Sequence, residues 1–355
     1  MRNLLILVDY DNKFLISLNN KNKFVTMDID KLKRLFISKG YNVNVKQFSE
    51  IDFNNSFADH FVIYQTSEDI GQFYKKYIED IIYLLQMLGA IVLPGYQYLK
   101  AHHNKGFMEL LRNTFSDVSL KSISSKYYGS TFEALKHDHL KLPVVIKQNS
   151  GAGSEGVYCA RTESDYRKYI MKSSKTILGS SYYNLCSVAL KNNIKKVLAV
   201  IDPKYKKRVK KIQRPIIVQN FIQGLSGDYK VLYFGGKYYT LYRQNRDNDF
   251  RASGGGRLYE VPVEENAPLL DFAKKLVNEI DFPIIGMDIG FDGESYHLIE
   301  FQMIHLGPYT LQRSNYYFIW EDNKWKCVEN KSNLEEEFAR SISEYIAKKF
   351  PIDEK

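Results

Sequence analysis

Short apolar runs alternate with helical patterns over the first hundred residues. Residues 4–8, 61–64 and 90–93 are apolar runs of strand length. Residues 30–38 and 73–88 repeat apolar side chains at helical spacing, and a glycine follows shortly after each. Strands that alternate with helices predict a small, mostly parallel sheet. We therefore expect an N-terminal βαβ-type domain over residues 1–100.

Two further domains are expected after residue 100. Residues 101–215 combine a linker helix, a buried strand and a glycine-rich segment, which predicts a small subdomain. Residues 216–355 hold two strand pairs, at 230–242 and 284–301, each with glycine in its turn, together with amphipathic helices. Hairpins of this kind indicate an antiparallel sheet. The predicted fold class is thus a mixture of α/β and α+β.

Cysteine usage and apolar run length indicate where such a protein would function. Cys159, Cys186 and Cys327 lack metal-type spacing, and an odd count argues against a disulfide framework. The longest apolar runs, such as residues 4–8, fall far short of the roughly 18 residues that span a bilayer. We expect a soluble, cytoplasmic protein with no membrane span. The oligomeric state stays open, with a homodimer among the options.

The charge is concentrated in one segment. The chain has 50 Lys and Arg against 41 Asp and Glu, a formal net charge of +9. Residues 204–214, here called the basic run, hold seven basic side chains among eleven. A solvated surface is the favoured interpretation, and a rim that attracts an acidic substrate comes second. A nucleic-acid arm is the least favoured, because Tyr205 is the single aromatic residue available for stacking.

A lysine stands between a buried strand and a glycine-rich loop. Lys147 ends the apolar run 143–146, where its ammonium would cost free energy unless it met an anion. Small residues with backbone N–H groups suited to phosphate oxygens then follow: Ser150, Gly151, Gly153, Ser154 and Gly156. The spacing is not that of a Walker loop, because the lysine precedes the glycines. An ordinary flexible turn is the alternative interpretation.

Two carboxylates and an amide are candidates for a metal site. Glu300 and Gln302 point to the same face of a strand, and Asp288 on the preceding strand can face them. Such hard oxygen donors suit a Mg²⁺ that keeps waters and bridges phosphates. The alternative is a pair of solvated hairpin carboxylates. The apolar residues around them favour the metal site, because unpaired buried carboxylates are costly.

Weaker signals lie between these two candidate sites. The strand 216–222 ends near a glycine, so its backbone could bind an adenine edge, and Asp228 could accept from ribose hydroxyls. A plain core strand is the alternative. Arg243 precedes a second glycine run that Arg251 and Arg257 flank, and paired arginines suit fork-type recognition of phosphate or carboxylate. A solvated loop is the alternative.

Taken in order, these segments resemble the ATP-grasp superfamily from about Lys105 to Gln302. The resemblance implies an ATP-grasp fold: an N-terminal domain over 1–100, a lid subdomain with the glycine loop over 101–215, and a catalytic domain over 216–355. It implies ATP and Mg²⁺ as cofactors. Gln302 departs from the usual Asn at the third metal position, and Asn220 stands where the family usually has Glu.

The resemblance also implies roles for individual residues. Lys105 and Lys147 would contact phosphates, and residues 150–156 would form the lid over the triphosphate. The adenine hinge would be formed by Gln219, Phe221 and Ile222, and Asp228 would hold the ribose. Arg243 and Arg251 would contact phosphate or the acyl intermediate, and Lys147 would also be catalytic. The ligands of Mg²⁺ would be Asp288, Glu300 and Gln302.

The implied activity is an ATP-dependent carboxylate–amine ligase that proceeds through an acyl phosphate. The segment from Arg251 through the glycine run resembles the corresponding segment of ligases that add glutamate to a ribosomal protein. It also resembles that of ligases that modify surface polysaccharides or peptides. The partners would be a small-molecule or glycan-linked carboxylate and an amine. Two alternatives stay open: an ATP-grasp kinase with a small substrate, and a catalytically inactive ATP-binding protein.

Overall fold

The computed structural model describes most of the chain in two compact units. Described residues are 1–19, 21, 23–67, 69, 71–136, 141–151, 156–175, 190, 193–195, 197, 200, 202, 214–246, 249–251 and 257–351. Unit 1 contains residues 1–66, 77–124 and 222–355, and unit 2 contains residues 67–76 and 125–221. The boundaries expected from the sequence, at residues 100 and 215, stay a prediction.

A parallel sheet forms the N-terminal part of unit 1. Its strand order is β4 (Tyr41–Gln47), β1 (Arg2–Val8), β5 (His60–Tyr64) and β6 (Ile91–Leu93), with every pair parallel. Strands β2 (Ile16–Leu18) and β3 (Phe24–Thr26) form a separate hairpin. The parallel sheet predicted from the alternating pattern is confirmed.

Helices of this region follow the predicted spacing. Helix α1 (Ile29–Ser38) buries Leu32 and Phe36, and Asp28 caps it by accepting from the Lys31 N–H at 2.8 Å. The predicted helix at 73–88 is α2 (Phe73–Met87). Two further helices, α3 (Tyr96–Ala101) and α4 (Lys105–Asn113), come next in the chain. The side chain of Asn104 caps α4 and therefore fixes the position of Lys105 at its first turn.

A seven-stranded sheet forms the rest of unit 1 and carries the candidate site. Its path is β15 (Tyr296–Gln302), β14 (Ile284–Phe291), β11 (Gly227–Phe234), β12 (Lys237–Gln244), β16 (Tyr316–Glu321) and β17 (Lys324–Glu329), and β13 (Leu258–Tyr259) pairs with β12. All of these pairs are antiparallel. Both predicted hairpins are present, whereas the hairpin β16–β17 was not predicted because its half-buried residues give no clear alternation.

Three helices accompany this sheet, and together they share one core with the parallel sheet. They are α7 (Asn266–Glu279), α8 (Tyr309–Arg313) and α9 (Leu334–Lys349). Buried residues of both sheets and of α1, α7 and α9 belong to a single hydrophobic cluster. Phe14 and Phe338, for example, meet edge to face at 5.7 Å between ring centroids.

Unit 2 is built on a four-stranded antiparallel sheet. The strand order is β7 (Ser125–Tyr128), β10 (Ile216–Asn220), β8 (Val144–Gln148) and β9 (Val157–Ala160). Helices α5 (Thr131–Lys136) and α6 (Glu163–Lys175) pack on it through a separate apolar cluster that includes Tyr166 and Ile170. This sheet contains the strand that ends at the candidate phosphate loop.

Candidate active site

Four charged side chains meet on one face of the seven-stranded sheet. Asp228 and Lys230 alternate on β11 and therefore share a face. Strand pairing sets Arg243 opposite Asp228 and Asp288 opposite Lys230. Arg243 donates to Asp228 in a fork, from Nε to Oδ1 at 2.6 Å and from Nη2 to Oδ2 at 2.9 Å. Asp288 accepts from both cations, from Arg243 Nη2 to Oδ2 at 2.7 Å and from Lys230 Nζ to Oδ1 at 3.1 Å.

These pairs determine the charge states of the two carboxylates, of which Asp228 is buried and Asp288 is half-buried. Burial alone would raise the pKa of Asp288, but Arg243 and Lys230 outweigh it and hold that pKa well below its usual range. Burial and the nearby negative charge of Asp288 raise the pKa of Asp228 to about 6. Burial opposes the charge on Arg243, yet Asp288 and Asp228 raise its pKa above the ordinary value. Of the two carboxylates, Asp288 is therefore the one that stays ionised at acid pH.

A β-bulge places Glu300 opposite Asp288. The pairing of β14 with β15 runs Ile289 to Leu298 and then Asp288 to Glu300, so Ile299 is an extra residue. The extra residue reverses the alternation, and Glu300 faces the same side as Asp288 although Leu298 faces the other. The expected facing of Asp288 and Glu300 across the hairpin is confirmed by this register.

Helix α4 contacts the bulged segment with two of its residues. Buried Arg112 donates from Nη1 to the carbonyl oxygen of Leu298 at 2.6 Å and from Nη2 to that of Ile299 at 2.9 Å. Lys105, one residue beyond the cap, places its Nζ 3.3 Å from Glu300 Oε2 and 3.5 Å from Oε1. The same short helix thus contacts the backbone before Glu300 and the Glu300 carboxylate itself.

Gln302 leads into a turn that holds His305. The Gln302 Nε2 donates to the His305 carbonyl oxygen at 3.3 Å, and the His305 N–H donates to Gln65 Oε1 at 3.0 Å. The His305 Nε2 also contacts the Thr66 carbonyl oxygen. The His102 ring lies near that of His305, with centroids 5.7 Å apart and the ring planes tilted by 31°. These contacts agree with a packing role for the two histidines.

The candidate phosphate lysine and hinge residues lie together in unit 2. Lys147 on β8 pairs with Ile217 on β10, two residues before Gln219. The Phe221 N–H donates to the Pro143 carbonyl oxygen at 3.3 Å, and the Arg161 guanidinium lies 5.5 Å from the Phe221 ring centroid. Ile222 belongs to unit 1. The structure therefore brings the second lysine close in sheet register to the predicted adenine strand.

Both ends of the predicted glycine loop are described. Ser150 and Gly151 follow β8, and Gly156 precedes β9. Gly156 has φ +70°, a conformation that favours glycine, and a Cβ there would also press on the Gln148 side chain. Gln148 N–H donates to the Gly156 carbonyl oxygen at 3.0 Å and closes the base of the loop. Gly153 and Ser154 lie outside the described residues.

The second arginine is tied to a neighbouring aspartate. Arg251 donates to Asp249 from Nε at 2.9 Å and from Nη2 at 2.7 Å. The glycine run at 254–256 lies outside the described residues, as does the basic run except for Arg214. Arg251 and Arg243 are thus both forked onto aspartates, and their contacts with phosphate stay a prediction.

The donor set agrees with a magnesium site that is completed by a ligand. Asp288 and Glu300 face each other, and Gln302 lies two residues along the same strand face. Within the described part of the chain, no group of three His, Cys, Asp or Glu residues is placed to hold a metal ion. Two carboxylates plus an amide oxygen suit a Mg²⁺ that keeps waters and bridges phosphates. The residues fit that group, and their role as ligands stays a prediction.

Two residues of this site were not singled out from the sequence. Lys230 lies two positions from Asp228 on a strand, so their shared face was available from alternation alone. Arg112 gave no such signal, because its partners are backbone carbonyls 186 and 187 residues away in sequence.

Comparison with known proteins supports the fold. Neither a protein-family profile nor a curated protein matches this sequence. Among solved structures, D-cycloserine synthetase DcsG aligns with TM-score 0.51 and 11% identity over 96% of this chain and 99% of its own. A RiPP-associated ATP-grasp ligase from Chryseobacterium gregarium, in complex with ADP and a leader and core peptide, aligns with TM-score 0.50 and 14% identity over 99% and 98%.

A third neighbour is the D-alanyl-alanine synthetase A of Vibrio cholerae O1 biovar eltor. It aligns with TM-score 0.50 and 11% identity over 98% of this chain and 99% of its own. At such identities the likeness concerns the fold. The chain has the ATP-grasp fold, as expected from the order of its motifs. No helix among the described residues is long and apolar enough to span a membrane.

Proposed function

We propose that the protein is an ATP-dependent carboxylate–amine ligase. The observation that carries the proposal is the facing pair Asp288 and Glu300 on the central sheet of an ATP-grasp fold, in contact with Lys105, Lys230 and Arg243. Three cations and three anions, counting Asp228, give this cluster a formal charge of zero. Such a cluster is suited to exchange its internal ion pairs for a nucleotide phosphate and its counterion.

The reaction requires no nucleophilic side chain. A substrate carboxylate oxygen attacks the γ-phosphorus of ATP, and ADP leaves. An amine then attacks the carbonyl carbon of the acyl phosphate. The bond between that carbon and the phosphate oxygen breaks, inorganic phosphate leaves with the electron pair, and the amine loses a proton. The main barrier is the approach of two anions. Positioning and preorganised positive charge are the established means of lowering it.

Roles follow for this chain's own residues. Lys105 and Lys147 would bind phosphate oxygens, and the loop from Ser150 to Gly156 would exclude water from the acyl phosphate. Asp288, Glu300 and Gln302 would hold Mg²⁺, which supplies charge neutralisation to the phosphates when bound.

Other residues would contact the base and the ribose of the nucleotide. Gln219, Phe221 and Ile222 would contact adenine. Asp228 is engaged by Arg243, so a ribose contact would use its remaining acceptor capacity. Arg243 and Arg251 would approach the transferred phosphoryl group.

The finer substrate assignment follows the neighbour that contains peptides. The C. gregarium ligase is in complex with a leader and a core peptide, and the two other neighbours are named as synthetases of small molecules. We propose an acid carried by a peptide or a surface-polysaccharide precursor. The net charge of +9 supports an acidic substrate.

Product analysis tests the proposal. A panel of acids and amines is incubated with ATP and Mg²⁺, and ADP, phosphate and coupled product are quantified. A ligase gives equal ADP and phosphate, and needs both an acid and an amine. Stable phosphorylated product without free phosphate would instead identify a kinase. In the same assay Glu300→Gln abolishes turnover, and Glu294→Gln in the exposed hairpin turn does not.

One observation favours a second candidate, an ATP-binding protein without catalysis. Both carboxylate oxygens of Asp288 already contact cations of the chain, Lys230 and Arg243. A site in which those cations never leave would bind ATP and turn nothing over. ATP binding in the absence of ADP formation with every acid and amine tested would support that alternative.

A further inference from the structure

Lys230 is a buried lysine whose observed partner is a candidate metal ligand. The residue is 4% exposed, in the middle of β11, and its Nζ is 3.1 Å from Asp288 Oδ1. A buried ammonium costs several kcal/mol unless it is paired, so this contact is the reason that the charge is tolerated. Asp288 would nevertheless have one cation without it, because Arg243 lies 2.7 Å from its other oxygen.

The two cations on Asp288 differ in how firmly they are fixed. Arg243 is a planar fork held by two bonds to Asp228, at 2.6 and 2.9 Å. Lys230 is a point charge on a flexible stem that bonds to one oxygen of Asp288, and lysine readily changes partners. Of the two, Lys230 is therefore the one that can move without breaking the Arg243–Asp228 fork.

The stem of Lys230 also lies beside Gly307, a glycine with positive φ. Gly307 has φ +69°, and a Cβ built on it would lie 4.0 Å from Lys230 Cε. Gly307 follows the turn that begins at Gln302, so the stem lies beside this turn while its ammonium bonds to Asp288. This position leaves the ammonium within reach of the sheet face that carries Asp288 and Glu300.

We propose that Lys230 is a built-in counterion of Asp288 that competes with a divalent cation for that carboxylate. In the ligand-free protein it neutralises Asp288. When a divalent cation binds with nucleotide, the ammonium transfers its contact to an anionic oxygen of the nucleotide or of the acid substrate. The inference rests on the proposed function, because it takes Asp288 as a metal ligand, and it adds a positioning role for Lys230. The site therefore binds a divalent cation weakly on its own.

Binding of Mn²⁺ in the absence of nucleotide tests this role. Free Mn²⁺ is measured by electron paramagnetic resonance during titration of the full-length protein, the Lys230→Met variant and the control Lys237→Met. Lys237 lies on the next strand and pairs with Glu337 at 2.6 Å, away from Asp288. We expect Lys230→Met to bind Mn²⁺ about tenfold more tightly than the wild type, a change of about 1.4 kcal/mol. The control is expected to equal the wild type.

Two more variants assign the effect to Asp288. The gain in Mn²⁺ affinity is lost in Lys230→Met/Asp288→Asn, and Lys230→Arg, which keeps the charge, does not show it. Lys230→Gln replaces Lys230→Met in every comparison if the methionine variant unfolds at the assay temperature. Equal or weaker Mn²⁺ binding by the neutral variants, or a gain that persists without the Asp288 carboxylate, overturns the proposal.

The outcome is separable from that of the proposed function. If Lys230→Met gains Mn²⁺ affinity but the wild type forms no ADP, the ligase proposal is wrong, and the competition between Lys230 and a divalent cation for Asp288 still holds. If the wild type turns over but neither Lys230→Met nor Lys230→Gln changes Mn²⁺ affinity, the ligase proposal holds and the competition for Asp288 is wrong.

Discussion

Asp288 and Glu300 face each other because Ile299 is an extra residue in their shared hairpin. Ile289 pairs with Leu298, and the next residue, Asp288, pairs with Glu300, so Ile299 has no partner in this pairing. Without the bulge, strict alternation would carry Glu300 to the face of Leu298, which is buried in the core. The geometry of the candidate site therefore depends on one irregularity, and that irregularity is anchored by the buried Arg112.

The first prediction concerns that anchor. Arg112→Met removes two hydrogen bonds to the backbone of the bulge and takes a guanidinium away from the buried Glu109 carboxylate, 3.3 Å from it. We expect a loss of about 3 kcal/mol in the free energy of unfolding, measured by urea titration. The double variant Arg112→Met/Glu109→Gln is expected to recover part of this loss. A loss below about 1 kcal/mol in the single variant would show that Arg112 does not hold the bulge.

A second prediction concerns the buried charge cluster. Arg243→Met leaves Asp228 and Asp288 with Lys230 as the remaining cation among the contacts described. We expect destabilisation of about 3 to 5 kcal/mol, because a buried carboxylate loses its partner. Adding Asp228→Asn removes one of the two negative charges and is expected to restore a substantial part. Additive losses in this double-mutant cycle would contradict the coupling of Arg243 with Asp228.

Lys105 provides a third prediction, on nucleotide binding. The side chains of Lys105 and Glu300 are partly exposed, 14% and 36%, so Lys105→Met is expected to change stability by less than about 1 kcal/mol. If Lys105 contacts phosphate, the same variant weakens ATP binding about tenfold or more, measured by calorimetry. The matched control is Lys100→Met, since Lys100 also lies 3.3 Å from a carboxylate, that of Glu79. Equal ATP affinity in both variants would remove Lys105 from the site.

The turn between β14 and β15 gives a prediction for pH. The hydrogen bond from His297 to Asp292 at 2.8 Å, with the backbone N–H groups of Ser295 and Glu294, holds the pKa of Asp292 well below its usual range. A carboxyl whose pKa is depressed in the folded state stabilises the fold above its unfolded pKa of about 3.9, and this contribution is lost as pH falls.

The expected result follows from that sign. Asp292→Asn lowers the melting temperature at pH 7, and the difference from the wild type shrinks as the pH falls below about 4. Thermal unfolding followed by circular dichroism from pH 3 to pH 8 measures it. A difference that stays constant, or widens toward acid pH, would contradict the depressed pKa.

Much of the fold was accessible from sequence because local signals were strong. The spacing of Leu32 and Phe36 predicted α1, and the glycines at 235, 236 and 293 predicted the turns of both hairpins. The hairpin that carries Asp288 and Glu300 followed from a short turn between two apolar strands, whereas their exact pairing depends on the bulge at Ile299. The hairpin β16–β17 was not predicted, because its burial pattern has no regular period.

The contacts within the site were less predictable. Lys230 bonds to Asp288, and Arg112 fixes Ile299, through pairings that depend on how distant strands and helices align. Alternation gives the face of a side chain, but it cannot give the register between strands 58 residues apart or the position of a bulge. Tertiary packing supplies that information.

Binding of a magnesium–nucleotide complex tests the central claim without knowledge of the substrates. Calorimetry with Mg²⁺ and a non-hydrolysable ATP analogue compares the wild type with Glu300→Gln and Glu294→Gln. Both glutamates belong to the same hairpin, but Glu300 pairs with Asp288 and Glu294 lies in the exposed turn. We expect the wild type and Glu294→Gln to bind equally, and Glu300→Gln to bind at least about tenfold more weakly. No binding by the wild type, or equal binding by all three proteins, would contradict the assignment of this sheet face as an ATP site.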